Sequence, residues 1–318
     1  MPLDPRARRL LSMVAAAMPE SRQHPSVGQR RQSLAKLMQF ARNDCGAVIT
    51  RDGDFSGPSG QLRYRLYTPA AGPDDLGMPP GFVYFHGGGL VAGSIDTHDK
   101  VAAALAAASR CRLLSIDYRL APEHPFPAAI EDAIAAVHFA IDHAAALGID
   151  GNRIVLGGDS AGATLAAAVC QQAAGDSPLR IALQCLICPV LDFSSPWPSR
   201  ELFGTGYLIN RATWQADLGD CLDGKTDVAH PLISPLCRET LAGLPPAVIH
   251  TAEFDPMRDE GNAYAARLAE AGVTVAHVCH DGMVHNFHAL GAILPQAKVA
   301  LELVGQQIRS LLRVSSMR

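Results

Sequence analysis

The chain has 318 residues, of which 48% are hydrophobic and 18% charged, enough apolar material for a large core and a composition that excludes intrinsic disorder. Its net charge of −4 and pI near 6.3 give no electrostatic basis for a nucleic-acid partner. Apolar runs such as residues 101–108 fall well short of the roughly 18 residues that a membrane span needs, so the sequence reads as a soluble protein of one large α/β domain or two ordinary ones.

The 8 cysteines make no disulfide framework in a chain of this length. Cys170, Cys185, Cys188 and Cys279 fall inside apolar runs, which suits buried free thiols in a reducing compartment, so a cytoplasmic location is expected. Cys185 and Cys188 spell C-x-x-C. They lie within a strand-like run rather than at a strand-to-helix corner, which argues against a redox or metal role.

Residues 1–42 carry eight Lys or Arg against two acids, a local net of +6 that leaves −10 for the remainder. Arg8-Arg9 and the apolar stretch to Met18 imitate a secretory signal, with Ala15-Ala16-Ala17 as its cleavage site. Yet Leu3, Ala7, Leu10, Leu11, Val14 and Met18 share one helical face, and Leu34, Leu37, Met38 and Ala41 repeat the pattern. Two helices of the mature protein are the favoured expectation. From 45 to 67 the pattern turns to strands, with turns expected at Asp52-Gly53 and at 57–60. A loop rich in proline and glycine spans 70–81.

Beyond it, apolar strand runs at 82–85, 113–116, 154–156, 181–187, 247–249 and 273–278 alternate with helical patterns. One helix buries Ile130, Ile134, Val137 and Ile141, and the last repeats this stripe with Leu301, Val304, Ile308 and Leu311. Continuous apolar strands separated by helices predict an α/β fold, with a mainly parallel central sheet and helices on both faces. The stretch 194–235 interrupts the alternation. It has no clear strand and holds Trp197, Phe203, Tyr207 and Trp214, so it reads as a functional lid, or as two packing helices with aromatic anchors.

Chemistry centres on Gly158-Asp159-Ser160-Ala161-Gly162, an instance of Gly-x-Ser-x-Gly between a strand and a small-residue helix. Glycines two before and two after the serine let strand and helix pass closely, and the turn sets the hydroxyl at a helix N-terminus. A serine nucleophile needs a base, and the base needs a carboxylate. In a sheet of this kind they follow in the order serine, acid, histidine from loops after later strands. Asp255 and His285 meet that order. Glu253, Asp259 and Glu260 crowd the same segment as Asp255; the last two suit the first turn of the next helix, where Arg258 has a carboxylate to pair with. With 12 histidines in the chain, His250 and His277 read as structural, and a metal cluster of His280, His285 and His288 lacks the spacing of a zinc motif. His86-Gly87-Gly88-Gly89 closes a strand with exposed backbone N–H groups, suited to an oxyanion. Its other use, a phosphate cradle, lacks the Gly-Lys-Ser/Thr that would support it.

The segments His86-Gly87-Gly88-Gly89, Asp117-Tyr118-Arg119-Leu120-Ala121-Pro122-Glu123, Gly158-Asp159-Ser160-Ala161-Gly162, Asp255-Pro256-Met257-Arg258-Asp259-Glu260-Gly261 and Gly282-Met283-Val284-His285 together resemble the hormone-sensitive lipase family of α/β-hydrolases, the bacterial type of carboxylesterase. They run in family order over essentially the whole chain. The resemblance implies Ser160 as nucleophile, His285 as base and Asp255 as its orienting acid, with an oxyanion hole from the amides of Gly88, Gly89 and Ala161. It implies a single α/β-hydrolase domain, 1–318, with a helical cap from 1–45 and 194–235 over a catalytic core of 46–193 and 236–318. Leu90 stands where the family often has Phe or Trp, and Asn286 where Gly is common; both bear on the acyl pocket rather than the chemistry.

The expected activity is hydrolysis of carboxylic esters with short or medium acyl chains, with a small-molecule ester as partner and neither cofactor nor metal. A homodimer is admitted and not required. Amidase, thioesterase or acyltransferase chemistry would use the same triad. A ligand-binding receptor on this fold is the alternative from another class, and such a receptor can dispense with its base.

Overall fold

A computed structural model describes residues 2–17, 25–41, 46–70, 77–174 and 179–315. Helices α1 (Pro5–Ala17) and α2 (Val27–Met38) precede a hairpin of β1 (Val48–Gly57) and β2 (Gly60–Pro69). Then follow β3 (Pro80–Phe85), α3 (Ile95–Ser109), β4 (Arg112–Ile116), α4 (Ala128–Asp142), α5 (Ala144–Leu147), β5 (Asp150–Asp159), α6 (Ala161–Ala173) and β6 (Ile181–Ile187). Helices α7 (Pro198–Phe203) and α8 (Arg211–Cys221) occupy the insertion, and β7 (Ala247–Phe254), α9 (Arg258–Glu270), β8 (Val275–Val284) and α10 (Gln296–Ser315) complete the chain.

The eight strands form one sheet in the order β1-β2-β4-β3-β5-β6-β7-β8. β2 runs antiparallel to both neighbours, and from β4 to β8 every pairing is parallel. Successive side chains of a strand point to opposite faces, so a strand covered on both sides must be apolar throughout. Val83, Phe85, Leu114, Ile116, Leu156, Leu186 and Ile249 pack with α4, α6 and α9 on one face. Their neighbours Phe82, Tyr84, Leu113, Val155, Cys185 and Val248 pack with α3 and α10 on the other. The stripe of α4 is seated as expected, with Ile130 and Val137 buried and Ile134 and Ile141 partly so; Leu301, Val304 and Ile308 of α10 are buried as well.

The N-terminal segments are helices. Ala7 and Leu10 of α1 are buried, Leu3, Leu11 and Val14 pack against the same cluster, and Met18 lies outside the described residues. Asp4 N–H donates to the carbonyl of Gly282 at 3.1 Å, fastening the start of the chain to β8. In α2, Ser26 and Gln29 form a reciprocal capping box.

Two sequence expectations need correction. Asp52-Gly53 is not a turn: both residues lie within β1, opposite Arg65 and Tyr64. Arg65 donates to both carboxylate oxygens of Asp52, and the Tyr64 ring covers Gly53 so closely that a Cβ there would strike it. The turn at 57–60 is present, between β1 and β2. Several strands also run beyond their apolar centres: β5 to Asp159, β7 to Phe254 and β8 to Val284, with β8 beginning at Val275 rather than 273. Their ends carry polar residues such as Glu253, His280 and Asp281, which break the apolar run; the β7–β8 ladder continues past them to Phe254 and Val284 after a register shift. Cys45 and residues 71–76 of the expected loop lie outside the described residues.

Small residues set the distance between α3 and α10. A Cβ on Gly305 would enter the backbone carbonyl and side chain of Ala108. Gly305→Ala is therefore expected to push α10 off the sheet and cost about 1–3 kcal/mol, the scale of an overpacked core. Equilibrium unfolding in urea checks this; an unchanged midpoint would show that the helices have room to spare.

Candidate active site

The site begins where β5 ends. Asp159 is its last residue and Ala161 the first of α6, so Ser160 alone makes the turn, at φ 53° and ψ −123°. A non-glycine residue at positive φ costs on the order of 1–3 kcal/mol and persists only where its surroundings enforce it. They do so here. A Cβ on Gly162 would meet the carbonyls of Phe85 and His86, and one on Gly158 would meet the carbonyl of Phe85 and the backbone of Gly162. The elbow glycines thus answer to the end of β3. Ser160 N–H donates to the carbonyl of Ile187 at 2.9 Å, tying the elbow to β6.

The extended β7 and β8 deliver the other two residues. Asp255 and His285 are each the first residue past a strand, and both are fully buried. His285 Nδ1 lies 2.7 Å from Asp255 Oδ2, and His285 Nε2 lies 3.0 Å from Ser160 Oγ. A carboxylate only accepts, so Nδ1 carries the proton, and Nε2 is left to accept from the serine hydroxyl. The second oxygen of Asp255 accepts Met257 N–H at 2.8 Å, which fixes the carboxylate's plane. Asn286 follows at φ 54°, so it adopts a glycine-like conformation.

The glycine loop lies against the elbow through Gly87 and Asp159. Gly88 and Gly89 have φ of 126° and 67°, and Leu90 continues at 59°. Gly88 accepts from Ala92 N–H at 2.9 Å, closing the loop. His86 is buried, which pushes its pKa down to about 3 and leaves the ring neutral. It lies 4.4 Å from the Tyr118 ring in a stack, and the Tyr118 hydroxyl donates to its carbonyl at 2.6 Å. Behind the serine, Asp159 accepts from Gly87 N–H at 3.0 Å and from the Tyr84 hydroxyl at 2.5 Å. Burial pushes this carboxyl up, but His98, His288 and Tyr84 outweigh it and hold it below the usual carboxylate range. The Ala161 amide is one of the free donors at the start of α6.

The structure brings Ser160, His285 and Asp255 into one hydrogen-bonded chain; Ala161 follows the serine, and Gly88 and Gly89 follow Gly87, which bonds to Asp159. The crowded carboxylates separate cleanly. Glu253 accepts Gly282 N–H at 2.7 Å, Asp259 pairs with Arg258 at 2.8 Å, and Glu260 pairs with Arg200 of α7 at 2.6 Å. Among the described residues His280, His285 and His288 form no metal-ligand group; His280 Nε2 sits 2.7 Å from His250 Nδ1, and His250 reaches Gln307 at 2.8 Å. His277 is half-buried, 3.3 Å from the Thr251 hydroxyl.

Two participants were missed in the sequence. Cys188 stands with its sulfur, the Asp255 carboxylate and the His285 ring within 4.8 Å of one another. Burial holds its thiol protonated, and Asp255 and His285 already satisfy each other, so these donors fit an acid–base pair better than a metal. Asp159 was visible only as the variable position of the elbow. Nothing local in either residue announces its partners.

The chain matches the family model described as alpha/beta hydrolase fold over residues 82–289. The carboxylic ester hydrolase LipN of Mycobacterium tuberculosis is 42% identical over 249 residues, which cover 76% of this chain and 64% of LipN, a little under two thirds of that relative. The arylesterase of Saccharolobus solfataricus is 35% identical, with 90% of this chain and 92% of that one aligned. An ester hydrolase from the metagenome of Lake Arreo, solved with a bipyridine phosphonate derivative, superposes with a TM-score of 0.91 at 38% identity, covering 97% and 98% of the two chains. The hyperthermophilic esterase of Pyrobaculum calidifontis gives 0.89 at 35% identity over 98% and 99%. With a family match across most of its length, and with strand order, elbow and histidine loop in the places the motifs require, the chain belongs to the α/β-hydrolases of the hormone-sensitive lipase and carboxylesterase family.

Proposed function

We propose that this protein is a carboxylesterase that hydrolyses esters of short- to medium-chain acids, with Ser160 as nucleophile, His285 as general base and acid, and Asp255 as the group that orients His285. The observation that carries this reading is the continuous buried chain from Ser160 Oγ through both ring nitrogens of His285 to Asp255, at 3.0 and 2.7 Å. Ser160 Oγ attacks the ester carbonyl while its proton passes to Nε2. The carbonyl oxygen becomes an oxyanion, held by the amides of Gly88, Gly89 and Ala161. The tetrahedral intermediate expels the alcohol, which takes the proton from Nε2 and leaves an acyl-serine. Water then attacks the acyl carbon as Nε2 accepts its proton, and Ser160 departs with that proton as the acid is released. Each step uses protein groups and water alone.

The names of the relatives favour an oxygen leaving group over nitrogen or sulfur. The intact triad favours turnover over a receptor that only binds. Residues 1–45 and 194–235 form a cap over a core of 46–193 and 236–318; supporting this, Leu34 of α2 abuts Gly88, and Phe203 and Tyr207 pack on Phe254, the residue before Asp255. A small-molecule ester is the partner required, and a homodimer is compatible with the reading. No helix among the described residues is long and apolar enough to cross a membrane. Free buried thiols such as Cys111, Cys170 and Cys185 support a cytoplasmic location.

Ser160→Ala should abolish turnover of a nitrophenyl ester and prevent labelling by an organophosphate, both of which need the activated hydroxyl. Mass spectrometry of the labelled protein checks the site, and label on another serine would refute the assignment. Asp255→Asn should lower kcat by roughly 10³ to 10⁴, the scale seen when a triad histidine loses its orienting charge. Glu253→Gln should cost less than about tenfold, because its carboxylate serves the Gly282 amide rather than a ring nitrogen. Steady-state kinetics of the two variants decides between them; a reversed order would make Glu253 the triad acid.

A further inference from the structure

The oxyanion loop is gripped by two consecutive arginines of α2. Arg30 is buried, 6% exposed at its side chain, and its guanidinium pairs with both Asp217 and Asp220 of α8. Arg31 donates from Nε to the carbonyl of Val91 at 2.8 Å and from its terminal nitrogens to Ala121 and Glu123. The α8 side of this clasp lies directly on the loop. A Cβ added to Gly89 would collide with the carboxylate of Asp217, and Cys221 Sγ–H donates to the Gly89 carbonyl at 3.4 Å.

A carboxylate lodged against Gly89 is a liability for ester hydrolysis. The tetrahedral intermediate puts a negative charge at the amides of the same loop, and like charges in a poorly solvated site repel strongly. For like charges several ångströms apart at an effective dielectric near 20, an uncompensated carboxylate would slow formation of the intermediate by roughly 30- to 100-fold. Arg30 is the cation that stands against it. We propose that Arg30 is a positioning residue for the reaction: its pairing with Asp217 cancels a negative charge beside the oxyanion loop. This inference rests on the reading of Gly88 and Gly89 as oxyanion donors.

The charge balance has a pH signature. The ionisable groups facing Asp217 among the described residues are Arg30 from α2 and, on its own helix, Asp220 and Cys221; the 88–91 loop contributes none. Burial lifts Asp217 to about 6 against the pull of Arg30. Without Arg30 that pull is gone, so Asp217 ionises at a higher pH and then stands uncompensated. The damage from losing Arg30 must therefore grow as pH rises.

The test is kcat and KM of the full chain on nitrophenyl butyrate from about pH 6 to 9.5, corrected for spontaneous hydrolysis. The proteins compared are the parent, Arg30→Met, Asp217→Asn and the double variant. Arg30→Met should stay near the parent at pH 6 and lose roughly 30- to 100-fold at pH 9, chiefly in kcat. Adding Asp217→Asn should abolish that alkaline loss. A deficit equal at every pH, or one the second substitution does not relieve, would overturn the proposal and leave Arg30 a packing residue. Should Arg30→Met not fold, Asp217→Asn alone decides: activity at or above the parent's supports the proposal, and a loss beyond about tenfold refutes it. A parent protein with no turnover, indistinguishable from Ser160→Ala, would instead remove the esterase reading on which this one stands.

Discussion

The contact on which this molecule depends is the near-collision of the β5–α6 corner with the end of β3. Gly158 and Gly162 bring their backbone against the carbonyls of Phe85 and His86, leaving no room for a Cβ at either place. That closeness holds Ser160 in its unfavourable backbone geometry, because relaxing φ would drive α6 into β3. The strain is thus supported by the packed core on both faces of the sheet, where Val83 and Phe85 meet α6 and Phe82 and Tyr84 meet α3. The same approach sets the glycine loop, which leaves β3 at His86, against the elbow, where Gly87 N–H donates to Asp159. One steric constraint places two parts of the site.

Closeness alone does not fix an angle, and buried polar groups do the rest. Asp159 joins the elbow to the loop through Gly87 N–H and to the strand beneath through Tyr84. Its other oxygen lies 3.7 Å from His98 Nε2. That oxygen accepts no hydrogen bond, so the buried carboxylate depends on the two donors at Oδ1, and a neighbour that moved would leave Oδ1 unsatisfied as well at a cost of several kcal/mol. Such a group tolerates only one arrangement of its neighbours. Asp255 works in the same way, with one oxygen given to Met257 and the other to His285.

What was legible in the sequence follows from the range over which each feature is determined. Strand interiors read clearly because burial on both faces forces unbroken apolar runs, as at Ile181–Ile187. The elbow reads clearly because its steric demand falls on glycines within two residues of the serine. Strand ends did not read, since that is where Glu253, His280 and Asp281 sit, and a pattern based on apolarity stops short of them. Asp52-Gly53 carries a local turn signature that was overruled by a ring and a guanidinium from the facing strand. The Arg30–Asp217 pair spans 187 positions, so no window of sequence contains both partners. In the sequence Arg30 was one of eight positive charges near the N-terminus and nothing more.

These ranges suggest how the site divides its labour. Ser160, Asp255 and His285 each stand at the first position past a parallel strand, where the ladder has fixed the backbone and the side chain is still free to project beyond it. The groups surrounding them come from helices that pack mainly by side chains, with a few backbone ties such as Phe126 N–H to the Cys221 carbonyl at 2.8 Å. α7 is tied to α9 through Arg200 and Glu260, the insertion rests on Phe254 through Phe203 and Tyr207, and α2 meets α8 through Arg30. A strand terminus cannot shift without breaking backbone hydrogen bonds, to both neighbours for β5 and β7 and to β7 for the edge strand β8, whereas a helix held by a few ion pairs and rings moves at the cost of those contacts. Substitutions in α2, α7 and α8 are therefore expected to change the surroundings of the 86–90 loop while leaving the 3.0 and 2.7 Å chain intact, which on the proposed reading separates the residues that perform the reaction from those that choose what undergoes it.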